Sequence, residues 1–145
     1  MSVREDIATN VVSVISGITS PAVRKVSRQP FPLEELAQAQ YPAILVQTIQ
    51  ETKEDQELGS GAKTRLSTLE FLIQCYIKGS EDNIDTARNT LATAIETALE
   101  SDITRGGNAL DTQVTEIETD GGQLFPIGAI NMTISVLYEH QSGTP

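Results

Sequence analysis

The residues of this chain whose types suit catalysis or metal binding are one histidine, one cysteine and a few paired carboxylates. A general base must be held in register with its nucleophile. His140 falls at the end of the last apolar alternation, close to the terminus, and reads as a surface or interface histidine. Cys75 alternates with Ile73 and Ile77, which makes it a small buried hydrophobe. As the lone cysteine it forms no internal disulfide, which fits a reducing compartment. Glu34-Glu35 and Glu116 with Glu118 supply the acid pairs that a glycosidase sets across a cleft, but both read more simply as solvated faces. A zinc site needs several converging His, Cys or carboxylate ligands, and no closely spaced set occurs. The nearest approach to a calcium loop, Asp102 to Asp111, has Thr104 and Gly106 where an EF-hand requires Asp or Asn. The Gly-x-x-x-x-Gly-Lys-Ser/Thr phosphate loop, the Gly-x-Ser-x-Gly elbow and the Gly-x-Gly-x-x-Gly fingerprint are all missing. The expectation is a protein with no catalytic residues, no cofactor and no metal.

The bulk properties point the same way. A chain of 145 residues forms one domain with a real core, here taken as residues 1–145. Its 39% hydrophobic and 21% charged residues are those of an ordinary globular protein. The net charge of −10 opposes binding to phosphate backbones, and the lack of Trp removes stacking platforms, so no specific nucleic-acid binding is expected. No apolar run suits a membrane span or a secretory signal, so no membrane partner is expected either. Positive charge is uneven: Arg24, Lys25 and Arg28 lie within five positions, either as an electropositive patch for an acidic partner or as a solvated turn.

The elements that position these residues follow from periodicity. Val3, Ile7, Val11, Val14 or Ile15, and Ile18 recur at helical spacing, with Ser2 and Glu5 placed as a capping box and Gly17 followed by Pro21 as the stop. Pro30 and Pro32 make residues 22–39 a structured connection instead of a long element. Ala43 to Ile49 reads as a first strand. The acidic stretch 51–63, with Glu51, Glu54, Asp55 and Glu57 and hardly any apolar side chain, reads as a flexible loop. Leu69, Phe71, Ile73, Cys75 and Ile77 alternate along a second strand, Arg65 to Lys78, antiparallel to the first. Ile84, Ala87, Leu91, Ala94, Ile95, Ala98 and Leu99 stripe a second helix, capped by Asp82. Gly106-Gly107-Asn108 makes a turn into a weaker strand, Thr112 to Glu118. Ile130, Met132, Ile134, Val136 and Tyr138 alternate along the last strand, and residues 141–145 form a frayed tail. The predicted fold class is α+β: a four-stranded antiparallel or mixed sheet with two main helices packed on one face. The order is helix-strand-strand-helix-strand-strand.

With that order in place, the chain resembles the tail terminator, or tail-completion, proteins of tailed bacteriophages. The likeness rests on the amphipathic first helix, Gln40-Tyr41-Pro42-Ala43-Ile44-Leu45-Val46 leading into the first strand, and the acidic stretch before Arg65. It continues through Glu70-Phe71-Leu72-Ile73-Gln74-Cys75-Tyr76-Ile77, then Asp85-Thr86-Ala87 through Ala98-Leu99, and closes on Ile134-Ser135-Val136-Leu137-Tyr138-Glu139. The resemblance implies a non-enzymatic virion protein that forms a hexameric ring on the tail tube, stops tube polymerisation and joins the tail to the neck or head connector. The implied partners are other copies of the chain, the tail tube protein, a neck or connector protein and possibly a sheath, with DNA passing through the ring. The implied location is the virion tail or neck, after assembly in the host cytoplasm. Arg24, Lys25 and Arg28 on one side and Glu51, Glu54, Asp55 and Glu57 on the other are the candidate interface residues, since a ring needs two different complementary faces. Two other readings stand beside this one: a neck or tail-tube-like subunit, which would polymerise by itself, and a small cellular ligand-binding domain, which would show a deep polar pocket.

Overall fold

The computed structural model describes residues 2–19, 23–30, 41–55, 64–78, 84–119 and 127–141. Helix α1 (Val3–Ser16) is followed by β1 (Lys25–Ser27), β2 (Ala43–Asp55) and β3 (Thr64–Lys78), then by helix α2 (Ile84–Glu100), β4 (Asp111–Thr119) and β5 (Ile127–Gln141). The fold is α+β, with a five-stranded mixed sheet in the order β1-β2-β3-β5-β4. All pairings are antiparallel except β1 with β2, which is parallel.

The long alternating tracts form the sheet centre. In β3, Leu69, Phe71, Ile73 and Cys75 are at most 1% exposed, and in β5 Ile130, Met132, Ile134, Val136 and Tyr138 match them. These inward residues join one core cluster with Ile7, Ala8, Val11 and Ile15 of α1 and Leu91, Ala92, Ile95 and Leu99 of α2. Burying each large aliphatic side chain stabilises by roughly 1.5–3 kcal/mol, against about 1 kcal/mol for a helix cap. Packing therefore holds the helices more than their ends do. The outward face is not uniformly wet, since Ala43 and Leu45 of β2 are buried there as well.

The structure corrects the expected sheet in three places. A fifth strand, β1, lies in the stretch read as a connection, where Lys25, Val26 and Ser27 pair in parallel with Ala43, Ile44 and Leu45. The stretch read as a loop is strand up to Asp55, paired residue by residue with β3 as far as Arg65; residues 56–63, including Glu57, lie outside the described residues. The last strand extends through Gln141, and residues 142–145 lie outside the described residues, as do the Gly79-Ser80 break and the Asp82 cap.

Two register shifts explain the weaker alternation of the flanking strands. In β2 the shift falls between Thr48 and Gln50, and in β4 between Val114 and Glu116. An extra residue reverses which side chains face inward beyond it. Ile44 and Val46 point into the core, Thr48 shares their face by register but is exposed, Ile49 is extra and half-exposed, and then Glu51 and Lys53 take the inward positions opposite Leu69 and Ser67.

At the start of α1, Ser2 Oγ accepts the Glu5 backbone N–H at 3.1 Å, half of the expected capping box. The Glu5 carboxylate turns instead to the Arg28 guanidinium. After α2, Arg105, Gly106 and Gly107 all take positive φ, at 50°, 72° and 93°. Fully buried Arg105 donates from Nη2 to the carbonyls of Leu99 and Asp102, closing the helix end.

Candidate interaction surface

The inward turn of Glu51 and Lys53 creates an ionic cluster where the sheet projects past the first turn of α1. Arg4 Nε and Nη2 donate to the two Glu51 oxygens at 2.8 and 2.9 Å, Tyr138 Oη donates to Oε1 at 2.9 Å, and Lys53 Nζ pairs with Oε2. Burial pushes the Glu51 carboxyl up, but the donors from Arg4, Lys53 and Tyr138 outweigh it and bring it down to about 2. The same cluster takes in Lys53 Nζ to His140 Nε2 at 2.9 Å and Ser67 Oγ to that nitrogen at 3.0 Å.

His140 is therefore not the surface histidine expected from its position near the terminus. It is 7% exposed, held by strand pairing opposite Arg65 and packed beside the Tyr138 ring. The juxtaposition of Ser67 with an imidazole does not make a nucleophile. Ser67 is fully buried, and Lys53, which has only donors, already occupies the Nε2 lone pair that a general base would need. The cluster fastens α1 to β2, β3 and β5.

The interface candidates divide accordingly. Glu51, with its side chain 12% exposed, is consumed inside the subunit. Glu54 is exposed, Asp55 ends β2, and Glu57 lies outside the described residues. Arg24 and Arg28 are exposed at the two ends of β1, with Arg28 paired to Glu5 and Lys25 half-buried between them. The two groups are not brought together: the basic residues flank the β1 edge, while Glu54 and Asp55 lie at the far end of β2.

The acid pair read as a wet face is one. Glu116 and Glu118 are both exposed and project outward from β4, opposite Thr133 and Asn131, and Glu118 raises the Glu116 carboxyl. The loop Asp102 to Asp111, the nearest approach to a calcium-binding pattern, is closed on itself. Asp102 accepts from the Thr104 hydroxyl and from the Thr104 and Gly106 N–H groups, which together lower its carboxyl. Cys75 is buried in the core, and burial pushes its thiol up. Among the described residues there is no cluster of three or more potential metal ligands, and no helix is long and apolar enough to cross a membrane. The described clefts are open to solvent; one of about 390 Å³ lies along Arg28, Gln29, Val46, Gln47 and Thr48 at the β1–β2 edge.

Comparison with known families matches residues 19–144 to the bacteriophage tail tube terminator proteins. The chain belongs to that family. As a tail terminator it is a structural, non-enzymatic component of the phage tail, consistent with side chains spent on packing and surface charge. Among solved structures, a chain of the virion of a native gene transfer agent particle shares its fold, with a TM-score of 0.52 and 13% sequence identity. The match covers 96% of the terminator described here and 92% of the other chain. Comparison with curated proteins gives no match.

Proposed function

We propose that this tail terminator forms a closed ring, a hexamer, that seats on the end of the tail tube, halts its polymerisation and offers its opposite side to the neck or head connector. The observation that carries the reading is the family match over residues 19–144. The surface chemistry supports it. A cap works through complementary faces, and the subunit presents basic and acidic groups at separate places: Arg24 and Arg28 beside β1, and Glu54 toward the far end of β2, which closes on Asp55; the candidate Glu57 lies outside the described residues. The basic group faces a neighbouring copy, and the acidic residues at the end of β2 face the tube or connector, with a sheath as a further neighbour where the tail has one. The net charge of −10 per copy gives the ring no attraction for the DNA that passes through it. The subunit accumulates in the host cytoplasm before it joins the tail.

Electron microscopy of the purified chain, alone and mixed with its cognate tail tubes, tests the proposal. Single rings in solution and one ring at a tube end are expected. Open-ended tubes built from this chain alone would identify a tube subunit instead, and a chain that stays monomeric and leaves tube ends bare would overturn the assignment.

A further inference from the structure

The sheet ends in two edges of opposite charge. On one side β1 is bracketed by Arg24 and Arg28, with Lys25 between them, and on the other β4 carries exposed Glu116 and Glu118. Among the described residues no further strand covers either edge. An uncovered edge invites pairing with another chain. The charges decide which pairing is allowed. Two β4 edges brought together would set Glu116 and Glu118 against their own copies, and two β1 edges would do the same with Arg24 and Lys25, Arg28 being paired with Glu5, so both symmetric pairings are repelled. The β4 edge of one copy against the β1 edge of the next is attractive, and it is heterologous, the type of contact that closes rings.

We propose that neighbouring subunits join edge to edge, with the β4 strand of one copy, through Glu116 and Glu118 on the outward face, lying against the β1 edge of the next, through Lys25 on that same face and exposed Arg24 at the start of the strand. This names the contact within the ring proposed above and rests on that reading. Strand polarity fixes the sense of the join. β1 and β2 run parallel, β3 runs opposite to β2, β5 opposite to β3, and β4 opposite to β5. In a cyclic ring every copy keeps the same direction along the axis, so β4 meets the β1 edge antiparallel. The join relieves the crowding of Glu116 by Glu118. It also gives cover to the exposed isoleucines near each edge, Ile49 at 50% and Ile117 at 43% exposure.

The test is a charge swap in the full chain, read by native mass spectrometry and sedimentation velocity. Arg24→Glu with Lys25→Glu reverses the charge that the β1 edge offers and leaves both edges acidic, and Glu116→Arg with Glu118→Arg makes both edges basic. Each variant alone should require about tenfold more protein than the natural chain to assemble. An equimolar mixture should form rings at the natural concentration, with the two variants in equal numbers. Circular dichroism of each variant checks that it is folded, and rescue in the mixture cannot come from an unfolded partner. If either variant forms rings unaided as readily as the natural chain, or if the mixture shows no rescue, the edge contact is wrong while the ring stands. If the natural chain itself forms no ring, the capping proposal fails, and the edge contact fails with it.

Discussion

Glu51 is the acid through which pH acts most directly on stability. Its carboxyl lies at about 2 when folded and returns to the ordinary 4.5 when the chain unfolds. Its contribution is complete above pH 4.5 and is lost as pH falls from there toward 2. At about 1.4 kcal/mol per pH unit, discounted for the partly exposed Arg4 and Lys53, that contribution is about 2 kcal/mol. Glu51→Gln should lose about this much at pH 7 and flatten the pH dependence between 4.5 and 2, as urea unfolding across that range would measure. An unchanged acid profile would show that another group carries the effect. The role of Glu51 was not legible in the sequence, because the alternation that reveals inward positions is interrupted at Ile49. By simple period-two counting from Val46, Glu51 falls on the outer face. His140 was legible: it continues the unbroken inward series Ile130, Met132, Ile134, Val136 and Tyr138, a signal that its nearness to the terminus outweighed. Cys75, with regular alternation on both sides, was placed correctly.

At the scale of elements, the extra residue in β2 makes an unusual prediction. Deleting Ile49 keeps every observed partner, Thr48 with Phe71, Gln50 with Glu70 and Glu51 with Leu69, and only removes the irregularity. The deletion should therefore fold cooperatively at a cost of about 1 kcal/mol or less. Deleting Val46 from the regular ladder would turn its neighbours to the wrong face, and should cost several times as much in the same denaturant titration. A close approach governs the other side of the core. A Cβ on Gly128 would stand 3.0 Å from Ile84 Cδ1 and 3.1 Å from Arg88 Cδ, so α2 packs directly on the β5 backbone. Gly128→Val should lower stability by about 1–2 kcal/mol through displacement of that helix end, measurable as a lower midpoint at unchanged slope. Both helices and the two central strands, β3 and β5, were legible because each carries a sustained apolar period, whereas β2 was legible only as far as Ile49 and β4 only weakly, since a register shift interrupts each. The three-residue β1 was not: it is too short for a period, and its partner is chosen by tertiary packing.

For the molecule as a whole, the sequence excluded chemistry more readily than it located contacts. Scarcity of His and Cys and the absence of phosphate-loop motifs are visible in one dimension, whereas an edge exists only once the strand order is known. The acidic residues that the sequence suggested as the opposed face, at the end of β2, are not the ones that oppose the basic segment across the sheet. That position belongs to Glu116 and Glu118, on the strand at the other end of the order β1-β2-β3-β5-β4. The central claim is that the assembled chain acts on tube ends. Its most direct test is a titration of the chain into tubes growing from seeds, with tube length followed by electron microscopy. Growth should stop when one ring has been supplied per growing end, an amount far below that of the tube subunits. Growth that continues at that ratio, or slows only in proportion to the total tube protein bound, would contradict the account.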